Sequence, residues 1–180
     1  MQTYIALLRG INVAGQKKIK MDALKSVFEH LNLLNVRTYI QSGNVLFESG
    51  ETDDAALADQ IERGIAEAFG FQVPVVLRTA EQLTDVVRRN PYELDGRPET
   101  DSLYVTFLQT IPSEESVASC LALRNEIDEF IIDGREVYVL IHKSYGESKF
   151  SNNFMEKKLK TVATTRNWET VNKLLGMSEQ

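Results

Sequence analysis

One order of hydrophobic patterns occurs twice along this chain, and it constrains the fold more than any other feature. A short apolar run is followed by a helical stretch, two alternating segments, a second helical stretch and another apolar run. The first copy begins with the apolar run Tyr4 to Leu8, and the second begins with Leu103 to Leu108. Apolar residues at a period of two predict strands, and helical spacing predicts amphipathic helices. Each copy therefore predicts the order β-α-β-β-α-β, with one more helix behind it.

Turn and capping residues separate these segments. Ser42-Gly43-Asn44 and Asp133-Gly134 each have the composition of a tight turn between two strands. Thr79, with Gln82 three residues later, predicts a capping box at the start of a helix. These signals support the boundaries that the hydrophobic pattern gives.

The last elements of each copy have weaker signals. Val73 to Leu77 is expected to be the fourth strand of the first copy, and Thr161 to Thr164 that of the second. Trp168 to Leu175 predicts a final helix, which Gly176 is expected to end.

This element order is the split-βαβ, or ferredoxin-like, arrangement. We expect an α+β protein with two ferredoxin-like lobes, each followed by an extra helix. Residues 1–90 form the predicted first lobe with its trailing helix, and residues 102–180 form the second. Two prolines, a glycine and several charges predict a linker over residues 91–101. Residue identity between the halves is not evident, so the prediction is a repeated topology.

Composition narrows the function classes. The net charge of −6 and the pI of about 5.1 disfavour a nucleic-acid partner or an anionic membrane surface. A single cysteine and two histidines predict neither an internal disulfide nor a zinc site, and no cofactor motif is found. No apolar stretch approaches the roughly 20 residues that span a bilayer. The N-terminal segment is interpreted as a strand rather than a signal peptide, so a cytoplasmic location is expected. The oligomeric state stays open.

Polar residues converge at one predicted edge of the first lobe. In this topology the loop after the first strand and the turn between the second and third strands lie at the same edge. Glycines there let backbone N–H groups approach an anion. Ordinary turn chemistry and a solvated lysine run are the alternative. The candidate ligand-binding residues at this edge are Arg9, Asn12, Lys17, Gln41, Ser42 and Asn44.

In the second lobe the loop after the third strand and the end of the fourth strand share the opposite edge. A serine at a helix start can bind an anion, and the guanidinium of Arg166 can grip one bidentately. The alternative is that Ser151 and Asn167 are ordinary helix caps. The candidate ligand-binding residues are Ser148, Lys149, Arg166 and Asn167, and Ser144, Ser151, Asn152 and Thr165 are expected close by.

Several segments are similar to a known bacterial family. YIALLRGINVAG, KIKM, TYIQSGNVLF, GESKF and TTRNWETVNKL closely resemble family 1697 of domains of unknown function. The resemblance covers nearly the whole chain and implies a two-lobed ferredoxin-like α+β fold. It implies no established activity and no established catalytic residues. Ala14 departs from the family pattern, which usually has glycine there.

Three functions are compatible with the sequence. The first is a binding module or enzyme for a small phosphorylated or carboxylated ligand. The second is binding of single-stranded nucleic acid on a ferredoxin-like sheet, with Tyr4, Tyr39 and Phe47 stacking on bases. The third is a structural or regulatory homo-oligomer. Whether the chain is an enzyme stays open: His142 is a possible acid–base group, but no partner carboxylate is identifiable from the sequence.

Overall fold

The computed structural model describes residues 1–123, 128–142 and 148–180. Contacts divide the chain into two compact units, residues 1–84 with 173–180, and residues 85–172. The lobe boundaries expected from the sequence, with a linker over residues 91–101, stay predictions.

The first unit is built on a four-stranded antiparallel sheet of order β2-β3-β1-β4. Helices α1 and α2 cover one face, because Leu24, Phe28 and Ile61 pack with the strand residues Tyr4 and Phe47 in one core cluster. Asp53 caps α2, and Gly70 takes the left-handed conformation at its other end. The elements are β1 Gln2–Leu8, α1 Met21–His30, β2 Leu34–Tyr39, β3 Asn44–Ser49, α2 Asp54–Phe69 and β4 Val75–Thr79. Helix α3, Ala80–Arg88, follows, and from residue 85 on it belongs to the second unit.

The second unit repeats this design with a sheet of order β6-β7-β5-β8. Phe130, Phe150 and Met155 belong to the core cluster between the sheet and its helices. Ser113 caps the helix that begins at Glu114, and Ser151 caps the helix that begins at Asn152. The elements are β5 Ser102–Leu108, α4 Glu114–Leu121, β6 Asp128–Asp133, β7 Glu136–Ile141, α5 Asn152–Leu159 and β8 Ala163–Asn167. Helix α6, Trp168–Ser178, follows, and from residue 173 on it belongs to the first unit. Both sheets have the ferredoxin-like order, so the predicted α+β fold class is confirmed.

Three predicted boundaries were wrong. Strand β4 begins at Val75 rather than Val73, directly after a proline that has no N–H to give a ladder. Strand β8 covers Ala163–Asn167 rather than residues 161–164, because α5 ends in a left-handed turn at Lys160 and the pairing with β5 begins only at Ala163. Helix α6 continues through Gly176 to Ser178. The guanidinium of Arg37 binds the carbonyl of Met177 at 2.7 Å, which holds this last turn.

Equivalent side-chain contacts occur within each of the two units, in addition to the common topology. In the first unit the carboxylate of Glu62 accepts from the backbone N–H of Val75, which opens β4, at 2.8 Å. In the second unit Glu156 accepts from Ala163, which opens β8, at 3.1 Å. An N–H that begins an edge strand lacks a ladder partner there, so each glutamate stabilises the same strand end.

A buried arginine occupies the same position in each fourth strand. Arg78 pairs with Ile5 of β1, and Arg166 pairs with Val105 of β5. Both are buried, and each donates to the carbonyl of the residue before it. The helix that follows then begins with a side-chain cap in both units, from Thr79 in α3 and from Asn167 in α6. Repeated contacts of this kind extend the repeat from topology to individual side chains.

Tyr138→Phe is expected to lower the free energy of unfolding by about 1 kcal/mol. The hydroxyl of Tyr138 is buried and donates to the carbonyl of Val86 in the last turn of α3 at 2.8 Å. That carbonyl has no partner within its helix, and phenylalanine leaves it unsatisfied. Urea unfolding followed by circular dichroism measures the change. Tyr39→Phe is the control, since no hydrogen bond of its hydroxyl is described, and an equal loss in both variants would contradict the assignment.

Candidate functional site

The first candidate site is the β1 edge, which we define as residues 9–20 and 40–43. The N–H of Leu8 donates to the carbonyl of Gly43 at 2.9 Å, and that of Arg9 donates to Pro74 at 2.9 Å. The ammonium of Lys17 binds the carbonyl of Gln72 at 2.6 Å. The loop after β1 and the turn after β2 therefore lie together, as the topology predicted.

Asn12 joins the two halves of the β1 edge. Its side-chain amide donates to the carbonyl of Ile19 at 3.0 Å and to that of Gln41 at 2.8 Å. Its side-chain oxygen accepts from the N–H of Ile19 at 2.9 Å. These contacts give the predicted ligand residue Asn12 a clear role in shaping the loop.

The backbone of this loop is unusual. Gly10, Asn12, Ala14, Gly15 and Lys17 all have positive φ angles, between 44° and 75°. Residues other than glycine and asparagine adopt this region at a cost of about 1–2 kcal/mol each. Ala14 lies at φ 49°, which accounts physically for the glycine expected there from the family resemblance.

The turn after β2 adds a second strained position, which the sequence did not reveal. Ile40 is β-branched, has a φ of 49° and is 47% exposed. A β-branched residue in this region is a genuine outlier, and such strain concentrates at functional sites. Asn44 is fully buried, and its amide binds the carbonyl of Tyr39 and the hydroxyl of Ser42. Ser42 and Asn44 therefore shape this turn.

A groove of about 640 Å³ opens beside this loop. Lys18 and Lys20 lie on its wall and are exposed. Helix α1 begins in the groove, and its N-cap residue Lys20 makes no side-chain capping bond, so the first N–H groups of α1 lack that partner. Asp22, in the first turn, is the acidic residue of the lining. The complete lining is Asn12, Lys18, Ile19, Lys20, Met21, Asp22 and Gln41.

The second unit provides an internal comparison for the β1 edge. There the N–H of Leu108 donates to the carbonyl of Arg135 at 2.8 Å, as that of Leu8 does to Gly43. The loop after β5 has five residues, 109–113, whereas the loop after β1 has twelve, 9–20. The short loop contains no lysine or arginine. The scaffold therefore needs only a short neutral connection here, and the long basic loop is an addition to it.

The second candidate site is the β7 edge, which we define as residues 101–102, 128–129, 142, 148–152 and 165–167. The hydroxyl of Thr165 donates to the side-chain oxygen of Asn152 at 2.7 Å, so these two residues lie side by side. The N–H of Lys149 binds the carboxylate of Asp128 at 3.3 Å, and the hydroxyl of Ser148 accepts from Phe150. Residues 143–147, with the expected Ser144 and part of the GESKF motif, lie outside the described residues.

Arg166 does not share a surface with Asn152. Successive residues of a strand point to opposite faces, and Thr165 points to the helices while Arg166 points away from them. Arg166 is 7% exposed, and its guanidinium donates to the hydroxyl of Thr164 at 2.8 Å. Burial lowers the pKa of Arg166 to about 10. Asn167 caps α6 through the N–H of Thr170 at 2.8 Å.

His142 has the carboxylate partners that the sequence did not identify. Its Nε2 atom lies 2.7 Å from an oxygen of Glu129, and its Nδ1 atom lies 3.2 Å from an oxygen of Asp101. The hydrogen bond to Glu129 and the interactions with Asp101 raise the pKa of His142, while burial opposes them. Asp101, Glu129 and His142 are far apart in the chain, so only the pairing of β5, β6 and β7 brings them together.

The aromatic residues considered for base stacking are placed differently. Tyr4 and Phe47 are each 1% exposed, stack on one another and face the helices with Phe28. Their rings are unavailable to bases, because recognition modules of this topology expose such rings on the open face of the sheet. Tyr39 is half-buried.

Among the described residues, no group of three or more His, Cys, Asp or Glu side chains is arranged to hold a metal ion. No helix in the described part of the chain is long and apolar enough to cross a membrane. Cys120 is buried, and burial raises its thiol pKa, so it is a poor nucleophile.

The two βαββαβ sheets define the molecule as a two-unit ferredoxin-like α+β protein. The chain belongs to the family described as protein of unknown function DUF1697, whose model matches residues 1–138. Among solved structures, the conserved bacterial protein SP0830 from Streptococcus pneumoniae is similar over 100% of this chain and 99% of its own. The TM-score is 0.75 and the sequence identity is 22%, which supports the fold. Comparison with curated proteins gave no significant match.

Proposed function

We propose that this protein binds a small anionic ligand, phosphorylated or carboxylated, at the β1 edge. The observation that carries the proposal is the contrast between two equivalent loops. The connection is short and neutral after β5, but long, basic and strained after β1. Strained backbone persists where the surrounding structure enforces it, and it concentrates at ligand sites.

Local charge supports an anion. Arg9, Lys17, Lys18 and Lys20 concentrate positive charge at one place in a chain whose net charge is −6. The first residues of α1 line the same groove, and a helix N-terminus favours a negative group through its dipole. A phosphate or carboxylate between Lys18 and Lys20 meets both sources of attraction. A cytoplasmic location in a bacterium is part of the same proposal.

Binding of single-stranded nucleic acid is a weaker candidate. Its stacking residues Tyr4 and Phe47 are buried, and the acidic net charge opposes a long polyanion. Short RNA nevertheless belongs in a ligand screen, since the β1 edge is basic.

A thermal-shift screen against sugar phosphates, nucleotides, dicarboxylates and short RNA is expected to give a hit that Lys18→Ala/Lys20→Ala weakens by at least about tenfold. A ligand at 100 times its Kd stabilises the protein by about 2.7 kcal/mol, which moves Tm measurably. Asp22→Asn is expected to tighten binding about threefold, because it removes a negative charge from the groove.

Lys157→Ala/Lys173→Ala is the matched control, since it removes the same charge at exposed positions outside the groove. Equal weakening by both double variants would attribute binding to net charge and refute a site at the β1 edge. A wild-type protein that binds nothing in the screen would count against a small-ligand function altogether.

A further inference from the structure

At the end of β7, one imidazole connects three separate segments of the second unit. His142 follows β7 and contacts Glu129 of β6 on one side and Asp101, which precedes β5, on the other. Arg97 lies 3.4 Å from the same oxygen of Asp101. The side chain of Asp101 is 7% exposed and that of His142 is 30% exposed. The contact therefore combines a well-buried carboxylate with a ring that water still reaches.

The segment before β5 forms neither helix nor strand from residue 90 to residue 101. Its described backbone hydrogen bonds are local: Arg97 donates to Leu94, and Asp101 donates to Pro98. Local turns of this kind stabilise a segment weakly, so tertiary contacts decide its order. The contact between Asp101 and His142 is such a tertiary contact, because it joins the end of the segment to the sheet.

The geometry depends on the charge of the ring. A neutral imidazole carries one N–H, so it donates from one nitrogen and presents a lone pair on the other. Both nitrogens of His142 lie close to carboxylate oxygens, at 2.7 and 3.2 Å. Two such contacts are attractive together only when both nitrogens carry a proton. Loss of one proton turns one of the two hydrogen bonds into a repulsion.

We propose that His142 is a proton-controlled latch that holds residues 97–101 against the β6–β7 hairpin, closed when the ring is charged and loosened when it is neutral. The charged groups that face the ring are Glu129 from β6 and Asp101, with Arg97 behind it, from the segment before β5. Asp128, buried at the start of β6, Lys149 and the buried Arg166 of β8 are the other charged residues described at the β7 edge. The latch is independent of ligand binding at the β1 edge.

The sign of the pH dependence follows from the direction of the shift. The pKa of His142 is raised in the folded protein, chiefly by the hydrogen bond to Glu129. The stabilisation is therefore complete below the pKa of the unfolded chain, about 6.5, and is lost as pH rises through the higher folded value. Residues 97–101 are expected to be held at mildly acidic pH and released above it.

NMR titration tests the latch directly. The chain has two histidines, so the ring signal that disappears in His142→Gln belongs to His142 and the remaining one to His30. We expect the His142 signal to titrate above pH 6.5 and the amide signals of Arg97 and of residues 99–101 to shift with the same midpoint. The amide exchange rate of Arg97 and of residues 99–101, divided by the rate in His142→Gln at each pH, should rise about tenfold through that midpoint.

Glu129→Gln and Asp101→Asn separate the latch from a passive ion pair. Each removes one carboxylate, so each should lower the midpoint of the ring and of the amides together. Circular dichroism of the three variants establishes that the fold is kept. A His142 midpoint at or below about 6.5, the ordinary value for histidine, or amide signals that do not follow the ring, would overturn the proposal.

Discussion

Gly43→Ala is expected to lower the free energy of unfolding by about 3 kcal/mol. Gly43 has a φ of 83°, and a β-carbon there would lie 2.7 Å from Cδ1 of Ile11 and 2.9 Å from Cβ of Leu8. Both neighbours are buried, and the β-carbon of Leu8 is fixed to the backbone of β1. The substitution therefore combines left-handed strain with a clash. Urea unfolding measures the loss.

Gly10→Ala is the matched control for this experiment. Gly10 has a similar φ of 74°, but a β-carbon added there would have no atom within 4 Å. Gly10→Ala should therefore lower the free energy of unfolding by the backbone strain alone, about 1 kcal/mol. The difference between the two variants measures how closely the turn after β2 packs against the start of the β1 edge. Similar losses in both would mean that the close packing around Gly43 carries no energetic weight.

Asn12→Ala has the second large expected effect, about 2 kcal/mol of stability. It removes both donations from the side-chain amide, to Ile19 and to Gln41, and the acceptance from Ile19. It also places alanine at a φ of 54°, which asparagine tolerates better. If the β1 edge binds an anion, the variant should also lose affinity by about tenfold, because Lys18 and Lys20 lose their fixed loop.

Two further variants divide this effect into its parts. Asn12→Asp keeps the oxygen that accepts from Ile19 but turns a carboxylate oxygen toward the two carbonyls that the amide bound, so a loss at least as large as in Asn12→Ala is expected. Asn32→Ala tests the conformational part, since Asn32 has a φ of 60° and no side-chain hydrogen bond of it is described. Unfolding curves and ligand titrations on the same samples decide the matter. A loss in Asn12→Ala no larger than in Asn32→Ala would show that the bridge to Gln41 is not important.

Much of the fold was predictable because its signals are local. Apolar runs such as Tyr4 to Leu8 place the strands, and caps such as Thr79 and Ser151 place the helix starts. The shared edge of the loop after β1 and the turn after β2 followed from topology alone. The predicted end of α6 was wrong because the last turn is held by a hydrogen bond from Arg37 to Met177, and these two residues are 140 positions apart in the chain.

The candidate sites were less predictable, because they depend on side-chain direction and on long-range pairs. Arg166 was placed with the polar loop, yet the alternation of β8 turns it to the opposite face from Thr165. The partners of His142 come from two other segments and carry no sequence pattern. The positive φ of Ile40 could not be predicted from the sequence. Such a φ violates the local preference of a β-branched residue, so only the surrounding contacts impose it.

The unequal loops of the two units have a consequence for variation among related chains. Lengthening a flexible connection from five to twelve residues raises its closure entropy by only about 0.8 kcal/mol. The hydrogen bonds that frame the loop, from Leu8 to Gly43 and from Leu108 to Arg135, involve backbone atoms alone. Selection can therefore exchange the loop's residues, and with them the molecule that it recognises, while the frame that carries it stays intact.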